Sequence, residues 1–378
     1  MAQGHKTEAG GGERGSAVSH QVEPACRQME QLDPFYKRVW ERAFAECIPI
    51  SGTFELTPRC NFNCKMCYVH LAPKQIHRYG RELTAREWLH LARQAREAGT
   101  TWLCITGGEP LLHPEFETIW RELAQMGFFL TLQTNASLLT QSVLQLLEEY
   151  PPRQVKITLY GVTNETYQAV CGVEDGFDRV NDGIHGLMSA GIPVELVTTF
   201  IRENYEERNE IAFYAYRHGL PWMSTMGVKP SQRGAETDVE QMKLLEQLEQ
   251  HQRENIQRRM QDQRFLDPAR KPCTYCRDYR LGYWVLWDGT ISFCSFVPNT
   301  GISVRGLPFS EAWSRLLTYE EELDWPKKCK SCSAAEVCER CAATVATLHE
   351  KVKKSELEEC KKIQEYYAQM KRRDTNVY

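Results

Sequence analysis

Apolar residues along this chain fall in short runs. Between the runs they recur every three or four positions, which is the alternation of strands with amphipathic helices. The runs lie at Gly52–Leu56, Thr101–Thr106, Phe128–Gln133, Val155–Tyr160, Val194–Phe200 and Trp222–Val228. The intervening helices have legible ends. Thr84-x-x-Glu87 and Asn204-x-x-Glu207 have capping-box spacing, and Gly99, Gly127, Gly191 and Gly219 stand where helices should stop. Ahead of the first strand, residues 27–47 predict one helix with Phe35, Val39, Trp40 and Phe44 as its apolar positions. Six strand–helix units in series predict an α/β fold of parallel strands with right-handed crossovers. An open doubly wound sheet and a barrel satisfy the pattern equally, and both bind ligands at the carboxyl ends of their strands.

The remaining segments read differently. Residues 1–20, rich in Gly and Ser, have little to bury and predict disorder; residues 21–50 form a helical extension. Residues 236–272 are a charged linker, with Leu244, Leu245 and Leu248 at helical spacing on an otherwise solvated helix. After residue 272 the strand–helix alternation ceases. Short strands at Tyr283–Leu286 and Thr290–Cys294 flank a turn at Asp288-Gly289, and residues 363–378 make a C-terminal tail. The net charge of −4 makes no electrostatic case for nucleic acid or an anionic membrane. No apolar stretch approaches the roughly 20 residues of a membrane span. No apolar block near the N-terminus resembles a secretory signal, so a cytoplasmic protein is expected.

The 15 cysteines are clustered, which in a reducing compartment points to metal ligands or catalytic thiols rather than disulfides. Cys60, Cys64 and Cys67 form a C-x3-C-x2-C run after the first strand. Cys273, Cys276, Cys294, Cys329, Cys332, Cys338, Cys341 and Cys360 form a second set. Cys26, Cys47, Cys104 and Cys171 remain, and each reads as a small buried hydrophobe. Zinc takes four ligands, usually from paired C-x2-C elements. Three thiols alone suit a 4Fe–4S cluster with one iron left open, whereas most electron-transfer clusters have four cysteines. Gly107-Gly108-Glu109-Pro110 follows the second strand, and its glycines allow backbone to approach a ligand closely.

The C-x3-C-x2-C run with Tyr68 after it, together with the GGEP turn, resembles the radical S-adenosylmethionine (SAM) superfamily. That resemblance selects among the open architectures a partial (β/α)6 TIM-like barrel, open on one side. It implies that Cys60, Cys64 and Cys67 hold a SAM-binding 4Fe–4S cluster. Gly107, Gly108 and Glu109, with Pro110 fixing the turn, would hold the methionine amino group. Tyr68 would pack near the adenine. Thr134-Asn135 resembles a T-N-G segment lining the SAM site, with Ala136 where glycine is usual, and Thr158 stands where related enzymes often carry a SAM-contacting serine.

Gly289-x4-Cys294, the group Cys329 to Cys341, and Cys360 resemble a SPASM domain over residues 273–362, after a barrel over 51–235. The family usually has three residues between the last two cysteines of the central group, where this chain has two. The resemblance implies two auxiliary 4Fe–4S clusters, one on Cys273, Cys276, Cys294 and Cys341, the other on Cys329, Cys332, Cys338 and Cys360. Taken alone, the paired cysteines suit structural zinc better than iron–sulfur. The implied activity is SAM cleavage to a 5′-deoxyadenosyl radical and oxidation of a ribosomally made peptide, with thioether or carbon–carbon cross-linking ahead of epimerisation. Sulfatase maturases carry an aspartate base where this chain has Ser295, and a serine is a poor base. The stretch before the first strand is short for a winged-helix leader-binding domain, so the leader would be gripped by the barrel and C-terminal surfaces or by a separate leader-binding protein. A flavodoxin or ferredoxin type protein would supply the low-potential electron. A non-catalytic iron–sulfur or zinc scaffold is the reading from another class.

Overall fold

The computed structural model describes residues 34–69, 71, 73–228, 244–261, 271–276, 279–297, 299–338, 341–347 and 354–375. Eight strands form one sheet: β1 (Ser51–Glu55), β2 (Trp102–Thr106), β3 (Phe129–Thr134), β4 (Gln154–Thr158), β5 (Val194–Thr199), β6 (Trp222–Thr225), β7 (Gly282–Val285) and β8 (Ile291–Ser292). Their spatial order is β6-β5-β4-β3-β2-β1-β7-β8, so the sheet does not close on itself. β1 to β6 are parallel throughout, as the crossover argument requires. The helices are α1 (Pro34–Glu46), α2 (Pro73–Tyr79), α3 (Ala85–Glu97), α4 (Phe116–Gln125), α5 (Gln141–Glu149), α6 (Asn164–Cys171), α7 (Gly176–Ser189), α8 (Arg208–Arg217), α9 (Leu245–Met260), α10 (Phe309–Glu322), α11 (Lys327–Lys330), α12 (Ala342–Thr347) and α13 (Lys354–Thr375). This is the partial (β/α)6 barrel expected.

Local chemistry explains the elements. Thr84 and Glu87 close the predicted capping box of α3, which buries Trp88, Leu89, Leu91, Ala92 and Ala95. Trp88 stacks on Phe54 of β1 at 4.8 Å. Each such large side chain contributes about 1.5–3 kcal/mol on burial. Gly99, Gly127, Gly191 and Gly219 all have positive φ after their helices. Strands with both faces covered read as unbroken apolar runs, but these alternate. Leu103, Ile105, Leu130, Leu132, Val155, Ile157 and Leu196 are buried, while Thr131, Gln133, Lys156 and Glu195 on the opposite face stay partly open. The inner wall of the barrel is therefore polar. Gln133, Lys156 and Glu195 share one register row, and Lys156 Nζ lies 3.1 Å from Glu195 Oε2.

The C-terminal strands join this sheet. β7 runs parallel to β1, and β8 pairs antiparallel with β7 across the predicted turn, where Gly289 has φ 90°. Gly52 on β1 has no room for a side chain because a Cβ there would come 2.5 Å from the Tyr283 ring. The Tyr283 hydroxyl meets Thr100 Oγ1 at 3.2 Å, and Thr100 donates to the Pro49 carbonyl. Arg305 adds an ion pair to Glu87 at 2.9 Å. The main core accordingly runs from the barrel through Val285, Phe293, Phe309 and Leu316. A second, small core comprises Ile256, Ala334, Val337, Tyr366 and Tyr367.

Several expectations need correction. β6 ends at Thr225, short of Val228. Asn204 makes no cap; it is buried, with Oδ1 accepting from Ile201 N and Nδ2 donating to the Tyr160 and Thr199 carbonyls. Glu207, its supposed box partner, accepts instead from Val162 N and the Thr163 and Thr166 hydroxyls. The charged linker helix is not merely solvated. In α9, Ile256 is buried, Arg253 lies over the Tyr366 ring at 4.0 Å and Arg259 donates to the Val337 carbonyl. The boundary placed at residue 362 falls inside α13, whose Tyr366 and Tyr367 are buried, so this stretch is no tail. The predicted disorder of residues 1–20 and the start of the first helix lie outside the described residues.

Candidate functional site

The cysteine run leaves β1 at the carboxyl end of the sheet. Phe62 and Met66 turn inward and are buried, while Cys60, Cys64 and Cys67 are half-buried. The loop is held by another element's spare hydrogen-bonding groups. A helix leaves its last carbonyls unpaired; those of Val170 and Cys171 at the end of α6 accept from Lys65 N (3.0 Å) and Asn63 N (2.9 Å). Lys65 also pairs with Glu203 at 2.8 Å. The Cys60 sulfur accepts from Phe62 N at 3.4 Å and Asn135 Nδ2 at 3.8 Å.

The electrostatics ask for a cation. Burial above all pushes the Cys60 thiol up, reinforced by Glu109, Cys64 and Cys67 despite the Phe62 amide. The Cys64 thiol is raised by its hydrogen bond with Cys171 first and by burial second, with a hydrogen bond from Tyr160 opposing. Thiols whose charges oppose one another at Cys60, where N–H groups nevertheless donate to the sulfur, fit a cluster that takes them as thiolates. Among the described residues no three His, Cys, Asp or Glu side chains form a group that could hold a single metal ion.

The Gly107-Gly108-Glu109-Pro110 turn packs on residues 57–59, which lead into the cysteine run. Gly108 N donates to Thr57 O at 2.7 Å and Glu109 N to Arg59 O at 2.8 Å. A Cβ at Gly107 would sit 2.7 Å from Thr57 O, and one at Gly108 2.4 Å from Arg59 O. The chain's own backbone therefore demands glycine at both positions. Glu109 is fully buried. Its carboxylate accepts from Leu111 N, Thr134 Oγ1 and Asn135 N at 3.1, 2.8 and 2.8 Å. Burial raises its pKa to about 7, against the pull of those donors. Pro110, also buried, opens the short turn Pro110–Leu112.

Asn135 bridges the two motifs. Besides Cys60 it donates to Asn61 Oδ1 at 2.9 Å, and its own Oδ1 accepts from Ser137. Ala136, in the usual glycine position, has φ 63°. Room for it comes from Gly183 on α7, where a Cβ would lie 2.2 Å from Ala136 O. Thr158 ends β4, half-buried, opposite Val197. Tyr68 packs against Phe296 with centroids 4.4 Å apart and the rings tilted by 46°, and the buried Ser295 donates to its hydroxyl at 3.3 Å. The sequence reading missed Asn61, Tyr160 and Cys171. Cys171 is buried as expected of a small hydrophobe, yet its sulfur is 3.5 Å from Cys64. No spacing rule joins positions so far apart.

Of the later cysteines, Cys273, Cys276 and Cys341 lie within electrostatic reach of one another. Cys273 is buried with its thiol raised by a hydrogen bond with Cys276, burial, and the charges of Cys276, Glu320 and Cys341. Cys332 accepts from Gln364 Nε2 at 3.3 Å, and Gln364 lies one turn beyond Cys360 on α13. Cys332 N donates to Cys329 O, and Cys338 N to Ala335 O. Cys294 sits in the loop after β8, its sulfur accepting from Phe296 N at 3.5 Å.

Residues 54–215 match the Radical SAM superfamily. The chain is 27% identical to the AdoMet-dependent heme synthase of Methanosarcina barkeri over 77% of its own length and 90% of that protein's. It is 33% identical to a probable GTP 3′,8-cyclase of Saccharolobus solfataricus over 40% of its length, spanning 48% of that relative. Its fold resembles Streptococcus suis SuiB bound to precursor peptide SuiA, with a TM-score of 0.58 at 16% identity, covering 82% of this chain and 76% of that one. It also resembles anSMEcpe with bound AdoMet and Cp18Cys peptide, with a TM-score of 0.57 at 14% identity, covering 87% and 99%.

Proposed function

We propose that this chain, whose residues 54–215 form a radical SAM domain, oxidises a ribosomally made peptide by thioether or carbon–carbon cross-linking. The observation that carries the reading is the packing of the cysteine run, the GGEP turn and Asn135 around the mouth of an open barrel with a polar inner wall. Cys60, Cys64 and Cys67 would hold the SAM-binding 4Fe–4S cluster, which when bound supplies the electron that cleaves SAM to a 5′-deoxyadenosyl radical. The Gly107–Glu109 turn would receive the methionine ammonium. Glu109 is placed to act through Thr134 and Asn135, since its oxygens are engaged with them. Tyr68 and Thr158 would border the adenosine. Cys273, Cys276, Cys294 and Cys341, and Cys329, Cys332, Cys338 and Cys360, would hold two auxiliary clusters that accept the substrate's second electron or a substrate thiolate. Ser295 donates to Tyr68, which suits support of the SAM loop and leaves the proton of the substrate to another acceptor.

Support for a peptide comes from two fold neighbours that carry peptides. A second reading follows from the near full-length relation to a heme synthase, and makes the substrate a heme precursor. Anaerobic reconstitution should bring about twelve irons per chain for three 4Fe–4S clusters. Dithionite, or a reduced flavodoxin or ferredoxin, should then yield 5′-deoxyadenosine. Its formation should rise with a precursor peptide that leaves lighter by two hydrogens. Stimulation by a heme precursor and by no peptide would put the second reading first. Zinc at stoichiometry, with no SAM cleavage, would remove both.

A further inference from the structure

Cys171 belongs to none of the chain's cysteine motifs, yet it is the thiol that meets the radical SAM loop. It ends α6, is wholly buried, and places its sulfur 3.5 Å from Cys64. Backbone sets this approach. Asn63 and Lys65, on either side of Cys64, donate to the carbonyls of Cys171 and Val170. Gly172, with φ 70°, stops the helix at that point. A mere filler would act through its volume. A donor would direct an S–H dipole at a sulfur that becomes a thiolate acceptor once it ligates iron. Two sulfurs of the loop also differ in their partners, since Cys60 takes N–H groups from Phe62 and Asn135, whereas the Cys64 thiol donates to Cys171 and receives the Tyr160 hydroxyl. Once iron takes the place of the Cys64 proton, the hydrogen between these two sulfurs is the one on Cys171, and the bond reverses.

We propose that Cys171 is a positioning residue of the SAM-binding cluster, its S–H donating to the Cys64 thiolate and raising the potential at which that cluster is reduced. The proposal rests on the reading of Cys60, Cys64 and Cys67 as ligands. Reduction adds negative charge that the ligating sulfurs share, and hydrogen bonds to those sulfurs are among the levers that set the potential. A dry surrounding strengthens such a dipole. Cys171 is neither a ligand nor an electron carrier in this account. It acts through Cys64.

The test uses the whole chain, reconstituted anaerobically and titrated potentiometrically by electron paramagnetic resonance. The relevant signal is the one that Cys64→Ala removes. Cys171→Ala removes both donor and volume, Cys171→Val removes the donor but refills the space, and Cys171→Ser retains a donor. At fixed solution potential the ratio of reduced to oxidised cluster should fall about threefold in the Ala and Val variants, a midpoint lower by about 28 mV at 59 mV per tenfold for one electron. The Ser variant should match wild type. SAM cleavage should slow under dithionite in the same two variants and recover under titanium(III) citrate, a rescue that a packing defect would not allow. Unchanged midpoints in Ala and Val overturn the proposal, and so does an equal shift in all three variants. If the Ala variant loses its cluster, the Val and Ser pair decides. A wild type with no signal dependent on Cys64 removes the cluster reading itself and this proposal with it.

Discussion

The two cysteine-rich regions of this chain are built in opposite ways. At the barrel mouth, the loop of Cys60, Cys64 and Cys67 is held by contacts that need no metal: the carbonyls of α6, the GGEP turn, and the buried Phe62 and Met66. Around Cys329, Cys332, Cys338 and Cys360 the described residues offer a core of five buried side chains, with a short α11 and single-turn elements. A small core rarely stabilises a fold alone, and where ligands are plentiful, metal binding is folding energy. The first region is a socket made in advance. The second, on the function proposed above, would be organised by the clusters it binds.

The largest expected effect is on that second region. Removing iron with a chelator should reduce amide protection of α13 and residues 329–338 by about a hundredfold, as a local opening, while β2 to β5 keep theirs. Hydrogen exchange read by mass spectrometry checks this, and equal loss in both regions would erase the distinction. Next comes the socket itself. Gly108→Ala sets a Cβ against the Arg59 carbonyl, backbone that cannot swing away. The expected loss is about 3 kcal/mol in urea unfolding, with SAM binding lost alongside.

A comparable effect, on the order of 3 kcal/mol, belongs to Glu109. Its carboxyl is raised from its ordinary 4.5 to about 7, so between those values the native protein holds a proton that the unfolded chain has released. Stability should therefore fall as pH rises from 4.5 to 7 and level off above. Urea midpoints of metal-free wild type, compared with Glu109→Gln across that window, would show the slope; parallel curves would refute it. The smallest effect should be a gain. Ala136 occupies a left-handed conformation, which disfavours an L side chain by about 1–2 kcal/mol, and Ala136→Gly should raise the unfolding free energy by about 1 kcal/mol. A drop instead would mean that its methyl, packed against Gly183, outweighs the backbone strain.

What could be read beforehand divides along similar lines. The six barrel strands and the cap at Thr84 were legible because period and capping chemistry are local. The cysteine run was legible because its ligands lie within eight residues of one another. Contacts between distant positions were not. Cys171 looks like any small hydrophobe until α6 delivers it to Cys64, and Asn204 imitates a cap until folding buries it. The glycines of the GGEP turn were noticed, but the surface they accommodate is β1's own continuation. The strands after Tyr283 were found as a hairpin, with nothing in their pattern to say that one of them completes the barrel's edge.

That edge has a consequence during synthesis. Ser51 pairs with Gly282, and Phe54 with Val285, so β1 has one side unpaired until most of the chain has left the ribosome. At about 5–20 residues per second the wait is on the order of ten seconds or more. An exposed strand edge is a template for pairing with another chain, and contacts this remote in sequence form slowly. A nascent chain stalled before residue 282 would carry a nearly finished barrel with a bare edge beside its cysteine loop. Such products should self-associate through β1. The hazard ends when β7 docks, which makes the last third of the chain a guardian of the first strand.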